Sequence, residues 1–200
     1  LIPRFYDVSE GHIYIDGVDL RDYDLQALRS KLGIIPQKAV LFSGTIEDNI
    51  RFGKEHASEE EIVEAAKIAQ GYDFIMDKEQ QFKEEITEGA TNVSGGQKQR
   101  LSIARALVRK AEIYIFDDSF SALDFKTDAN LRKALKRVTK DSIVMVVAQR
   151  IASIMDADQI IVLNEGKMIG HGTHKELLKN CQIYREIALS QFREEELANE

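Results

Sequence analysis

One cysteine, Cys181, serves all 200 residues, and there is no tryptophan and only two prolines. A lone cysteine rules out an intrachain disulfide and any metal site built from a cysteine cluster, and it is the usage expected in a reducing compartment. Long apolar runs are missing too. Ile143 to Ala148 is one of the longest, far short of the ~20 residues a helix needs to cross a bilayer. Nor is there a basic excess. Thirty-four acidic residues against 27 basic ones give a formal charge of −7, which argues against a nucleic-acid partner engaged through a basic face. The basic residues that do cluster, Lys98, Arg100, Arg105, Arg109 and Lys110, fall along one expected helix and read as its solvated face. The opening LIPRFYDVSEG lacks an initiator methionine and the basic start and apolar stretch of a signal peptide. The chain therefore reads as a piece of something longer.

With 44% hydrophobic and 30% charged residues, the composition is that of a globular domain, and the length fits one domain with or without a subdomain. Residues 12–20, HIYIDGVDL, alternate around Asp16-Gly17 and predict a hairpin. GIIP at 33–36 reads as a short buried strand, and QKAVLFSGTIEDNI after it as loop and short helix. Ser58 to Gln70 predicts a helix with Ser58 as cap and Glu61 completing a capping box. Another helix is expected after Ser94, where Leu101, Ala104 and Val108 recur at helical spacing. Farther on, IYIF (113–116), SIVMVVA (142–148) and QIIVL (159–163) read as buried strands, with a helix over 126–138 between the first two. A capping box at Thr173 and Glu176 opens a C-terminal helix, and REEELANE at the end reads as a frayed acidic tail. Strands alternating with helices predict an α/β fold with a mainly parallel sheet, whose sites collect at the carboxyl ends of the strands.

Four groups of residues sit where chemistry could occur. Ser94-Gly95-Gly96-Gln97 opens a helix. Free backbone N–H groups and the positive end of the helix dipole lie there, and glycines let an anion approach closely. The residues alone leave two readings open, a phosphate site and an ordinary N-cap after a glycine-rich turn. Asp117-Asp118 ends the strand IYIF, where one carboxylate could hold Mg²⁺ through water and the other orient a water nucleophile. A strand that simply ends in polar turn residues looks the same. Ser121-Ala122-Leu123-Asp124 follows and could be a mere turn. Gln37 and Gln149 each follow an expected strand, and each alone reads as a surface amide.

NVSGGQKQRLSIARAL resembles the signature motif of ATP-binding cassette (ABC) proteins, with valine in place of the usual leucine before SGGQ. IYIFDD resembles their Walker B strand, SALD their D-loop, IIPQ their Q-loop and VAQR their switch loop, all in the family's order. The resemblance spans essentially residues 1–200, and LFSGTIEDNI resembles the exporter branch. It implies a P-loop NTPase core with a helical subdomain at about 40–110, paired head to tail with a second cassette. In such a pair Ser94 and Gly95, with Gly96 and Gln97, face the γ-phosphate of ATP held by the partner. Asp117 and Gln37 hold Mg²⁺ and the attacking water, Asp118 is the base, Gln149 contacts the γ-phosphate, and Asp124 links across the dimer. The implied protein is an ATPase that drives export, joined to a transmembrane domain at the cytoplasmic face of the cell membrane.

Three departures from the family pattern qualify that expectation. No G-x-x-x-x-G-K-[ST] occurs, which is read as truncation, the chain beginning inside or just after the phosphate-loop helix. The family's catalytic glutamate is Asp118 here, one methylene shorter, and its switch histidine is Gln149, which cannot carry a proton at neutral pH. Both fall on the chain's own half-site while the signature is nearly intact, a pattern that resembles the weak-site subunit of a heterodimeric exporter. Two rivals remain. A chromosome-maintenance or DNA-repair ATPase predicts a long coiled coil splitting the cassette, and no such heptad run is present. A nucleotide-sensing module without turnover of its own is compatible with the two substitutions.

Overall fold

A computed structural model describes residues 1–192; the expected acidic tail, REEELANE, lies outside them. The chain divides into two compact units, Leu1–Val147 and a second that begins at Ala148.

In the first unit β1 (Tyr14–Ile15) and β2 (Val18–Asp19) pair antiparallel. Their two-residue turn has Asp16 at φ 52° and Gly17 at φ 78°, the double left-handed geometry that Asp-Gly adopts with least strain. α1 (Leu25–Ser30) is capped by Asp24 and leads into β3 (Leu32–Ile35). Pro36, with no N–H to give to a ladder, ends that strand. A short pair, β4 (Gly44–Thr45) with β5 (Glu85–Ile86), frames a run of helices: α2 (Ile46–Arg51), α3 (Glu59–Ile68) and α4 (Tyr72–Met76). α5 (Gly95–Leu107) follows them. Capping boxes start α2, α3 and α5, at Thr45/Asp48, Ser58/Glu61 and Ser94/Gln97, and each satisfies two backbone donors that a helix start leaves open. Their apolar stripes meet in one core, in which Ile46, Ile50, Ile62, Leu101 and Ile103 are fully buried.

β6 (Ile113–Asp117), α6 (Phe125–Val138) and β7 (Ile143–Val147) complete this unit. The sheet order is β3-β6-β7, all parallel. Ile35 lies opposite Phe116 and Asp117 opposite Val147. This register places the turn Pro36-Gln37 level with Asp117-Asp118, so the sheet brings the two together at its carboxyl edge.

Two expectations for this unit are corrected. β7 forms where expected but is not buried: Ile143, Val144, Met145 and Val147 are between 39% and 61% exposed. It is an edge strand with β6 as its one partner, and a continuous apolar run cannot say whether both faces are covered. The basic residues of this stretch are solvated only in part: Arg109 and Lys110, past the end of α5, are exposed, but Arg100 and Arg105 are half-buried. Arg105 donates to the Asn49 carbonyl at 2.8 Å and to Asn49 Oδ1 at 2.8 Å, and its guanidinium lies over the Phe42 ring at 4.9 Å. Arg100 donates to the Gln70 carbonyl at 2.9 Å and stacks on Phe74 at 4.6 Å. Helices pack along both flanks of α5, so its arginines spend their stems and donors between elements.

In the second unit β8 (Ile160–Asn164) and β9 (Lys167–Gly172) form an antiparallel ribbon around the turn Glu165-Gly166. α7 (His174–Asn180) opens on the expected Thr173/Glu176 capping box, and α8 (Gln182–Gln191) follows. Ile160 and Val162 are buried against Leu177, Cys181 and Tyr184, while Ile161 and Leu163 are exposed. The expected fully buried strand is therefore buried on one face only.

Candidate functional site

The carboxyl edge of β3 and β6 gathers Gln37, Asp117 and Asp118. Asp117 is the exposed last residue of β6. Asp118 is nearly buried and has φ 45°. Its N–H donates to the Val147 carbonyl at 2.9 Å, and its carbonyl accepts from Ser121 Oγ at 2.8 Å. A non-glycine residue in this region is strained unless its surroundings fix it, and such residues concentrate at functional sites. The strained turn carries the Asp118 side chain toward β3, where Oδ2 accepts a hydrogen bond from Gln37 Nε2 at 3.2 Å. Ser119, fully buried, donates from Oγ to the Ile35 carbonyl at 3.4 Å.

The second element is the start of α5. Ser94 is its N-cap; Ser94 Oγ accepts from the Gln97 N–H at 3.3 Å, and the Ser94 N–H donates to Gln97 Oε1 at 3.0 Å. Ser94 keeps its hydroxyl proton and Gln97 its amide donors for an acceptor outside the box. A Cβ on Gly95 would meet no atom within 4 Å, whereas one on Gly96 would sit 3.4 Å from the Ala122 carbonyl. Gly95 also has an ordinary negative φ, being absent from the left-handed glycines. Nothing among the described residues requires a glycine there. The contact with Ala122 shows that the loop 118–124 runs beside this helix start. Asp124 ends that loop as the N-cap of α6; the Thr127 hydroxyl and N–H hold its carboxyl below the usual carboxylate range.

Gln149 lies in the second unit, where it is exposed and its carbonyl accepts from Gln191 Nε2 at 2.8 Å. The sheet thus unites Gln37 with Asp117 and Asp118, and Ser94–Gln97 adjoin the loop ending in Asp124.

The donors fit a magnesium nucleotide in kind. Gln37, Asp117 and Asp118 offer hard oxygen ligands, and among the described residues no group of three or more His, Cys, Asp or Glu is placed to hold a metal ion. Mg²⁺ is ordinarily held by one or two carboxylates, water and the substrate's phosphates rather than by a protein cage. The open backbone N–H groups at Gly95 and Gly96 suit a phosphate. A residue not anticipated from the sequence is Gln99. It is 2% exposed, and its Nε2 donates to the Pro36 carbonyl at 3.3 Å. An amide two places before the largely apolar stretch Leu101–Ala104 was a signal of a polar group turned inward, but its partner lies 63 positions away in sequence.

A family model described as ABC transporter matches residues 1–121. An uncharacterized ABC transporter ATP-binding protein of Mycobacterium tuberculosis is 45% identical over 194 residues, covering 96% of this chain and 33% of the relative. An ATP-dependent lipid A-core flippase of Syntrophus aciditrophicus is 42% identical over 100% of this chain and 33% of its own length. A putative multidrug export ATP-binding/permease protein of Staphylococcus aureus is 42% identical over 94% of this chain and 32% of its own. The solved structure of a bacterial Atm1-family ABC exporter with ATP bound superposes with a TM-score of 0.93 at 39% identity, covering 96% of this chain and 34% of that one. The chain spans about a third of the length of these relatives. With a family model over 121 of its 200 residues and relatives above 40% identity across nearly its whole length, the chain belongs to the ABC transporter family and has its α/β ATPase fold.

Proposed function

We propose that this chain is the nucleotide-binding domain of an ABC exporter and supplies complementary halves of two Mg-ATP sites. The observation that carries the reading is the start of α5. A capped helix N-terminus carries a glycine, Gly95, that the chain's own packing does not need. An anion brought by a second cassette gives that glycine its reason. Ser94 and the N–H groups of Gly95 and Gly96 then face the γ-phosphate of ATP held by the partner, and the helix dipole stabilises the charge. Gln97 locks the cap, and Asp124 stands at the adjoining loop to meet the partner.

The chain's own half-site is built on Gln37, Asp117 and Asp118; for Gln149 the resemblance implies contact with the γ-phosphate. Mg²⁺, when bound, neutralises phosphate charge. Asp117 and Gln37 would hold it and the attacking water, for which Asp118 would be an impaired base. A carboxylate one methylene short and an amide in place of an imidazole make this half-site the weaker one, which favours a different second subunit as partner. Helices over about 40–110 form the arm that carries the signature. The relatives named as a flippase and an export ATP-binding/permease protein support export and a transmembrane domain as the other partner. The cassette would then sit at the cytoplasmic face of the membrane.

The test is steady-state Mg-ATP hydrolysis by the full-length protein assembled with its partner. Ser94→Arg fills the helix start and should lower the rate about 100-fold or more, the usual loss when a donor to developing charge is removed. Hydrolysis at the parent rate would sink the reading.

A further inference from the structure

The turn that carries Gln37 hangs from two buried donors on different elements. Ser119, just after β6, holds the Ile35 carbonyl at 3.4 Å, and Gln99, on α5, holds the Pro36 carbonyl at 3.3 Å. Pro36 has no N–H with which to extend the ladder, so these side chains fix where the chain goes after β3. Gln99 is the less expected of the two. Burying a primary amide costs free energy that an apolar residue of similar size avoids. Pro36 is exposed, so water could serve its carbonyl. What Gln99 adds is a fixed relation between Pro36 and α5.

That relation joins two places that act on different nucleotides. Gln37, next in the chain, reaches Asp118 at 3.2 Å in the chain's own half-site. Gln99 lies little more than one turn along α5 from Ser94, the cap of the end that completes the partner's site. A helix transmits displacement along its axis because its hydrogen-bonded backbone is stiff. We infer that Gln99 is a positioning residue that couples the two ATP sites: it ties the Gln37 turn to α5, so that a shift of Gln37 at one site moves the Ser94 end at the other. The inference rests on the head-to-tail reading above.

A double-mutant cycle on the full-length transporter with its partner tests it. The four proteins are the parent, Gln37→Ala, Gln99→Met and the double variant; methionine keeps the length and volume of glutamine and removes the donor. Each single change should lower kcat about 5- to 150-fold, the range of ordinary coupling between sites, with KM for Mg-ATP near the parent's. The double variant should be no slower than the slower single one, because both changes cut the same link. A double loss equal to the product of the single losses overturns the inference. So does either single variant at the parent's kcat, or a change confined to KM. Should Gln99→Met fail to fold, Gln99→Glu, which keeps size and polarity but cannot donate, carries the same cycle. Ser94→Arg in the same assay separates the two failures. A rate lost there beside a multiplicative glutamine pair leaves the half-site reading standing and removes only the coupling; a parent rate there removes the half-site reading itself.

Discussion

Gln37 Nε2 lies 3.2 Å from Asp118 Oδ2, joining residues 81 positions apart into one polar pair at the carboxyl edge of the sheet. The pair is assembled by register: Ile35 opposite Phe116 sets the two exits side by side. The strained backbone of Asp118, at φ 45°, then turns its carboxylate toward the glutamine. A water or metal ion held by both side chains would be placed by the sheet rather than by a flexible loop, which is the kind of preorganisation that catalysis rewards.

On the proposed reading, Gly95 separates the folding of this chain from its function. Its added Cβ would meet open space and its φ is not left-handed, so Gly95→Ala should leave the melting temperature of the full-length protein unchanged or slightly raised, alanine being the better helix former by up to about 1 kcal/mol. ATP turnover should nonetheless fall by about 100-fold, since displacing a phosphate from the helix start by on the order of 1 Å is that costly. Thermal unfolding and ATPase rate on one preparation make the comparison. A matched loss of stability and activity would mean that the glycine serves the fold.

Gly53 makes the opposite case. A Cβ there would sit 1.8 Å from the Arg105 carbonyl and 3.0 Å from Val108 Cγ1, so the chain just past α2 touches the backbone of α5 with no room for a methyl. Gly53→Ala should destabilise by at least about 1–3 kcal/mol, the usual cost of overpacking, and lower the melting temperature by about 2–4 °C for each kcal/mol. Differential scanning calorimetry reads it. An unchanged melting temperature would show that α2 and α5 are not held this close.

Local signals told much of this in advance, and long-range ones did not. Ser58 with Glu61 and Thr173 with Glu176 are capping boxes written at fixed spacing, and both form. Asp16-Gly17 foretold its turn because only a few residue types accept two successive left-handed positions. By contrast, the burial of Arg105 depends on Asn49, 56 positions away, and that of Gln99 on Pro36. The exposure of β7 depends on which neighbours a strand has, and no periodicity within Ile143–Val147 reports that. The motif residues could be named from the sequence. The resemblance also set Gln37 with Asp117, but the hydrogen bond from Gln37 to Asp118 could not be read, because it is a product of register.

In the second unit Tyr184 is 2% exposed, and its hydroxyl lies 2.8 Å from His174 Nδ1. Burial raises its pKa from 10 to about 12. The folded state therefore favours the neutral phenol. The stability this contributes is complete below pH 10 and is lost as the pH climbs from 10 through about 12. In an alkaline titration followed by phenolate absorbance, Tyr184 should ionise only near pH 12, and Tyr184→Phe should shrink the late phase by one tyrosine, leaving Tyr114, whose pKa burial also raises. A late phase of undiminished amplitude in Tyr184→Phe would show that Tyr184 is not one of the late-ionising tyrosines.

The asymmetry between the two half-sites gives the sharpest comparison. On the proposed reading, Ser94 and Gly95 complete the partner's site, whereas Asp118 serves the chain's own. Asp118→Asn keeps an oxygen to accept from Gln37, so the pair at 3.2 Å and the link through Gln99 survive. What disappears is a base already one methylene short of the family's glutamate. Its loss should reduce total ATP turnover by no more than about twofold, against about 100-fold for Ser94→Arg. Asp118→Glu should have the reverse sign: the longer carboxylate reaches the water position, and a second site begins to turn over. Steady-state rates of the three variants in the assembled full-length transporter decide the matter. If Asp118→Asn abolishes hydrolysis while Ser94→Arg is tolerated, the working site is this chain's own and the assignment of the two halves is reversed.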